Sequence, residues 1–459
     1  MDDHFGNPRS TLSNYGHFYT VTNICSATLQ KSLTSIDIAF GSLLSVVVAL
    51  VVAQLVYRFS GFYTCTIDRE VASSRFHAID GLRGFLAIGV VLHHIYINHH
   101  FFLTGQWELT PSRFTTFLGR GSVGMFFMIT AFLFWGRIIE KKERFDAARF
   151  YQNRVRRLVP MYLVSAGLVV VTAMALSHFR LNVPLSELTA EITSWLLFTF
   201  PGVPPINGFT QTALINTVFW SLIYEWKFYL VLPMIGALAV RWGMWPVGLA
   251  ACACISLFSP IQVEWYFVAG CAAAMAVRVP AIRNLCRTTV ATALLIACIA
   301  AVVTWQPLIY SPGAAALMFV PFLAISAGNS LLGLLTNKAA RLLGLLSYSI
   351  YLLHNWVLYL VARFVNHIEL IASISHVTYL GIGAGVVAIT VLLATLTYRF
   401  IEFPPIRLPG AATTAERSPA VRVPNTLRRG GNRDLSGENC QRRVPSMLPD
   451  GRQHGEERL

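Results

Sequence analysis

Eleven apolar runs follow one another along this chain, at about 38–57, 81–97, 118–139, 158–176, 217–240, 245–259, 262–278, 289–306, 309–328, 341–361 and 377–398. Crossing the hydrocarbon core of a bilayer takes roughly 20 consecutive apolar residues of helix. A series of such runs predicts an all-α polytopic membrane protein. The composition agrees: 55% of the 459 residues are hydrophobic and 13% are charged, where a soluble domain has about a quarter of its residues charged. The formal charge of +14 is therefore not a nucleic-acid footprint, because basic residues beside spans set orientation and meet anionic lipid on the cytoplasmic face. Eight cysteines, five of them between 252 and 298, show neither metal-ligand spacing nor a disulfide framework. The first 35 residues are polar, so no cleavable leader is expected.

Charge then orients the runs. The loop after the third run carries Lys141, Lys142, Arg144, Arg149, Arg154, Arg156 and Arg157 against Glu140, Glu143 and Asp146. That excess marks it as cytoplasmic. Alternation puts Arg278, Arg283, Arg287, Lys338, Arg341 and the segment from Arg399 on the same side, and the long 177–216 segment outside. The amino terminus is then expected outside and the carboxyl terminus in the cytoplasm. Residues 1–74 form a leading segment around the span 38–57, and 75–408 form the main body. Residues 409–459, rich in Ser, Pro, Gly and Arg, bury too little to order themselves and read as a disordered cytoplasmic tail. The run Trp195 to Val203 is short, ends in PGVPP, and reads as re-entrant or interfacial.

Ionisable residues inside the runs are the candidates for chemistry, since each is costly in hydrocarbon. In DGLRGFLAIGVVLHHIYIN (80–98), Arg83 and His94 stand eleven residues apart, three turns plus about 20°, on one helix face and roughly 16 Å apart along it. The run FWSLIYEWKFYLVLP (219–233) lines up Ser221, Glu225 and Phe228 on one face. Glu225 lies about nine residues into its helix, a depth at which a carboxylate is paired, protonated or facing a water-filled cavity, and Lys227 is about 200° around the helix. A cation from another helix, Arg83 being the candidate, is expected to answer it. In RFYQNRVRRLVPMYL (149–163), Arg154 and Arg157 share a face at the mouth of the next helix, where forked guanidiniums suit phosphate. Ser347, Tyr351 and His354 make a polar stripe in LGLLSYSIYLLHNWV (343–357), and Glu402 in YRFIEFPPIRL reads as a cap and stop. His93, His94, His99 and His100 lack an added carboxylate at ligand spacing, so no metal site is expected.

In order and spacing these pieces resemble the acyltransferase 3 family of integral membrane proteins, which includes bacterial O-acetyltransferases acting on cell-surface polysaccharides. The resemblance rests on DGLRGFLAIGVVLHH, VGMFFMITAFL, RVRRLVPMY, FWSLIYEWKFYLVLP, LLSYSIYLLH and the terminal IEFP, over roughly 75–408. It implies a ten-helix core, with the leading span as one additional helix. It implies an acyl group, usually acetyl, taken from acyl-CoA as a co-substrate and delivered to a hydroxyl of a glycan or lipid-linked saccharide. It carries catalytic roles to Arg83, His94 and Glu225 and substrate-binding roles to Arg154 and Arg157; Asp80, Ser221, Tyr224 and His354 join the candidate binding residues. Two departures stand out: Thr130 and Ala131 occupy positions where the family commonly has Ser and Gly, and Asn153 replaces an arginine ahead of Arg154.

The residues suit that reaction. Moving an acyl group from a thioester to an alcohol needs a base near neutral pH, and imidazole, with an ordinary pKa of roughly 6.5, is the natural one. The thiolate leaves without much acid help, its conjugate acid having a pKa of roughly 8.5. His94 is the expected general base, and Arg83 would orient the donor or stabilise the oxyanion. Two rivals are a secondary transporter, distinguished by internal repeats and broken helices, and a non-catalytic membrane partner, distinguished by full acylation after His94→Ala. The bacterial inner membrane is the expected location.

Overall fold

The computed structural model describes residues 33–71, 76–306 and 309–406; the expected tail 409–459 lies outside the described residues. Every apolar run becomes a helix. The long ones are α1 Ser35–Phe59, α3 His77–Thr104, α4 Arg113–Lys141, α5 Ala147–Leu176, α7 Phe219–Trp242, α12 Lys338–Ile368 and α13 His376–Ile406, seven in number and each long and apolar enough to cross a membrane. Between them lie α2 Gly61–Val71, α6 Leu185–Leu196, α8 Met244–Phe258, α9 Trp265–Ala276, α10 Thr289–Trp305 and α11 Pro312–Ser326. Of these, α8 to α11 are apolar helices of 10–17 residues. The 12 residues of α9 rise about 18 Å, less than the roughly 30 Å of a hydrocarbon core, because Pro260 and Pro280 bound the run on either side. Among the described residues no strand forms, only an isolated bridge between Ile206 and Phe209.

Local chemistry starts and stops the helices. Thr34 and Asp37 close a capping box on α1, and Asp146, Ser311, Asn337 and Ser375 each accept a backbone N–H in the first turn of α5, α11, α12 and α13. Gly105, at φ 75°, ends α3 in the left-handed conformation. Two stretches widen to a π turn: Phe117–Gly121 within α4 and Tyr398–Glu402 within α13. Both abut polar side chains buried in the bundle, Ser122 and His93 in one case and Ser349 in the other, as such turns often do. Cys65 is disulfide-bonded, a pairing that spacing did not suggest, whereas Cys252, Cys254, Cys271, Cys286 and Cys298 are free thiols.

The centre of the bundle is the pair α3 and α12. In each, 72% of the most apolar stretch is buried, against 22% for α7 and 28% for α1. Small residues bring the pair together: a Cβ at Gly344 would run into the Asp80 carbonyl oxygen, and one at Gly84 would lie 2.7 Å from the Ala340 carbonyl oxygen. Such close backbone approach is how helices associate where lipid removes the hydrophobic drive. Two apolar clusters flank the pair, one with α1, α2 and α13 and the other with α4, α5, α7, α9 and α11. The leading helix is tied in by polar contacts as well. Tyr96 donates to the Ile38 carbonyl at 2.9 Å and lies 2.9 Å from the Ser42 hydroxyl, and Asp37 and His376 pair at 3.0 Å.

Candidate active site

The faces that α3, α7 and α12 turn toward one another carry a column of polar residues with two foci. The inner focus gathers Arg83, Glu225 and the arginines of α5. The charge of Arg83 interacts with those of Asp80, Arg157, Glu225 and Glu402. Glu225 differs from expectation: its direct partners are not a cation but two hydroxyls, Thr130 at 3.3 Å and Tyr229 one turn along α7. Hydroxyls one turn away on α7 and across on α4 can reach this carboxylate without bringing a guanidinium into contact, so Arg83 answers it at longer range. Lys227, as expected, points elsewhere, lying 4.9 Å over the Tyr224 ring.

Arg154 and Arg157 sit deeper than the mouth of a helix, because α5 begins at Ala147, about three turns earlier than the apolar run indicated. Arg154 lies 4.6 Å over the Phe134 ring and 6.0 Å over that of Tyr229, with a buried Nε that has no partner. Arg157 reaches the charges of Arg83 and Glu402. Glu402 is not a cap: 1% exposed, it accepts from Ser349, and its second oxygen is buried without a partner. The π turn that carries it aims this carboxylate inward, a shift in phase that a regular helical reading of YRFIEFPP does not give. Asp80 Oδ2 is likewise buried and unpartnered. Orphaned polar atoms of this kind call for a polar or charged partner, since unpaired polar groups are costly in a dry interior.

The outer focus is built on two histidines. His94 Nδ1 lies 3.0 Å from the Val90 carbonyl and 3.2 Å from His354 Nε2, and His354 Nδ1 lies 3.2 Å from the Ile350 carbonyl. Carbonyls only accept, so the network assigns a proton to each Nδ1; His354 Nε2 then accepts from His94. His94 is left with its lone pair on Nε2. Trp107 stacks over the ring with centroids 6.4 Å apart. The neighbouring His93 does something else: its Nδ1 donates to the Thr115 carbonyl at 2.7 Å, and its ring fills the space a Cβ at Gly119 would need, which fixes the π turn of α4. Ser221 and Tyr351 hydrogen-bond at 2.7 Å between the foci. Tyr224, by contrast, packs against Trp220 with centroids 6.0 Å apart, in an aromatic group with Tyr310, and is not brought to Glu225 or His94.

Arg120 and Tyr310 escape sequence reasoning. Arg120 lies 5.7 Å over the Tyr310 ring and interacts with His93, and the Tyr310 hydroxyl is buried without a partner. An arginine within an apolar run was the available signal. The departures noted in the sequence are accommodated: Thr130 reaches Glu225, and the methyl of Ala131 faces Gly270 of α9, where a Cβ would come within 2.8 Å of it.

A family model described as an acyltransferase domain matches residues 76–399. Among curated proteins, the exopolysaccharide production protein ExoZ of Rhizobium meliloti is 31% identical over 124 residues, covering 27% of this chain and 36% of that protein. The peptidoglycan O-acetyltransferase OatA of Listeria monocytogenes is 25% identical over 374 residues, covering 71% and 55%. The O-acetyltransferase OatA of Staphylococcus aureus is 26% identical over 165 residues, covering 34% and 24%. The matches thus span about half or less of these relatives' own lengths. No solved structure matches.

Proposed function

The chain belongs to the acyltransferase family whose model spans its body, and from that premise we propose that it moves an acyl group, acetyl first among candidates, from acyl-CoA to a hydroxyl of a cell-surface glycan or lipid-linked saccharide. The names of its relatives, one acting on peptidoglycan and one in exopolysaccharide production, support a glycan acceptor. The observation that carries the reading is the polar column: arginines with an unpartnered nitrogen at one end, and an oriented imidazole with a free Nε2 at the other.

In this reading the donor enters from the cytoplasmic side, with phosphates on Arg154 and Arg157 and the acyl arm rising past Glu225 and Ser221 toward His94. As the acceptor oxygen attacks the thioester carbon, His94 Nε2 takes the hydroxyl proton. The new C–O bond forms, the C–S bond breaks, and the imidazolium returns the proton to the departing thiolate. His354 holds the imidazole in the productive tautomer. Of the two roles open to Arg83, orienting the donor fits better, because a residue roughly 16 Å along the helix from His94 cannot touch the same carbonyl. The chain would lie in a bacterial inner membrane with its amino terminus outside.

The test is sided. Radiolabelled acetyl-CoA confined to the cytoplasmic face of sealed vesicles should label a glycan supplied at the opposite face. Labelling that requires donor and acceptor on the same face would refute transfer through the column, and labelled acceptor with His94→Ala would remove the base.

A further inference from the structure

Outside the column, a cleft of about 570 Å³ opens where α4, α5 and α7 end or begin on one side of the bundle. Its walls are apolar, with Ile138 at the back and Pro233, Ala237 and Val240 along α7. Two cations stand at its rim. Lys142 follows the last residue of α4, and Arg241 is the penultimate residue of α7. Neither is paired with a carboxylate among the described residues. Glu140 is taken by Arg278 at 2.9 Å, and Asp146 caps α5 and lies 3.8 Å from Arg149. Lys142 also has φ 47°, a left-handed backbone in which a side chain other than glycine is strained. Strain of that kind persists where the surrounding structure holds a side chain in place.

We infer that this cleft binds an anionic phospholipid, with the phosphate on Lys142 and Arg241 and an acyl chain along the α7 wall. The placement follows from depth. Both cations lie at helix ends, the level of lipid headgroups, while Ala237 and Pro233 lie about one and two turns inside, at the level of chains. The α7 face beside the cleft is already lipid-facing: Leu230 is 58% and Met234 60% exposed. Trp242, 64% exposed and next to Arg241, suits the aromatic belt at that boundary. A nucleotide would need hydrogen-bonding groups for its base, and the lining supplies an apolar wall instead; basic pockets between spans on the cytoplasmic side are built for acidic headgroups.

The full-length protein, reconstituted in vesicles of phosphatidylethanolamine and phosphatidylglycerol and released into native mass spectrometry, should retain phosphatidylglycerol in preference to phosphatidylethanolamine. Lys142→Gln with Arg241→Gln should weaken retention about 30-fold, each cation contributing about fivefold near an anionic surface. Ala237→Leu, which narrows the groove without touching charge, should weaken it as well and guards against misfolding of the double variant. Equal retention by wild type and both variants overturns the site. Unchanged lipid retention with weakened coenzyme A binding also overturns it, and assigns the cleft to the donor.

Discussion

At the scale of single residues, the chemistry reduces to which nitrogen of His94 is free. The Val90 carbonyl, one turn back on α3, and His354, 260 residues away in the chain, both engage Nδ1 and so leave the lone pair on Nε2. His94→Ala is expected to lower acyl transfer about 10²- to 10⁴-fold, the range for loss of a general base. His354→Phe, which removes one orienting hydrogen bond worth about 1 kcal/mol, should cost about fivefold, measured as initial rate on the same acceptor. Arg154 offers a separate reading. Its guanidinium lies 4.6 Å over the Phe134 ring and is a planar fork, a combination that an ammonium does not reproduce. Arg154→Lys should therefore raise KM for acyl-CoA about tenfold with little change in kcat, the pattern of lost uniform binding.

At the scale of elements, the column exists because α3 and α12 touch backbone to backbone. Gly344 has no room for a Cβ against Asp80, whose carboxylate faces the inner focus. Gly344→Ala is expected to destabilise the bundle by about 1–3 kcal/mol, the cost of overpacking, and to reduce transfer by displacing Arg83. Gly381 of α13 is the control, since a Cβ there meets nothing within 4 Å. Gly381→Ala should hold or raise the unfolding midpoint, because alanine is the better helix former by about 1 kcal/mol. Thermal unfolding in one detergent compares the two. The π turns belong to this scale as well. Each adds a residue to a helical turn and so rotates the side chains around it, setting Glu402 inward in one case and Gly119 against His93 in the other.

For the whole molecule, the arrangement is a central helix pair with one apolar cluster that holds the column and another that holds α1, α2 and α13. The leading helix packs on the second cluster, away from Glu225 and Arg154. Its attachment is testable without touching the chemistry. Tyr96→Phe removes the contacts to Ile38 and Ser42, and interhelical hydrogen bonds in membranes are worth about 0.6 kcal/mol each. The unfolding midpoint should fall by the equivalent of about 1 kcal/mol, with acyl transfer retained.

Read alone, the residues determined the class of fold, every helix of the apolar series, and the faces on which Arg83, His94, Ser221 and Glu225 stand, because bilayer thickness and the 3.6-residue turn act on local sequence. They also placed Glu225 beyond the reach of Lys227, which is a matter of angle. What answers Glu225 was legible only in part: Tyr229 stands one turn along the same helix, but Thr130 reaches it through the crossing of α4 and α7, and crossings are set by packing rather than by periodicity. For the same reason the pattern is silent on Arg120 and Tyr310, it assigns Tyr224 to a site that residue does not join, and it reads Glu402 as a cap although the π turn rotates that carboxylate into the interior. The pairing of His94 with His354 is the clearest case, since two imidazoles so distant in sequence meet only once Gly84 and Gly344 have let their helices close.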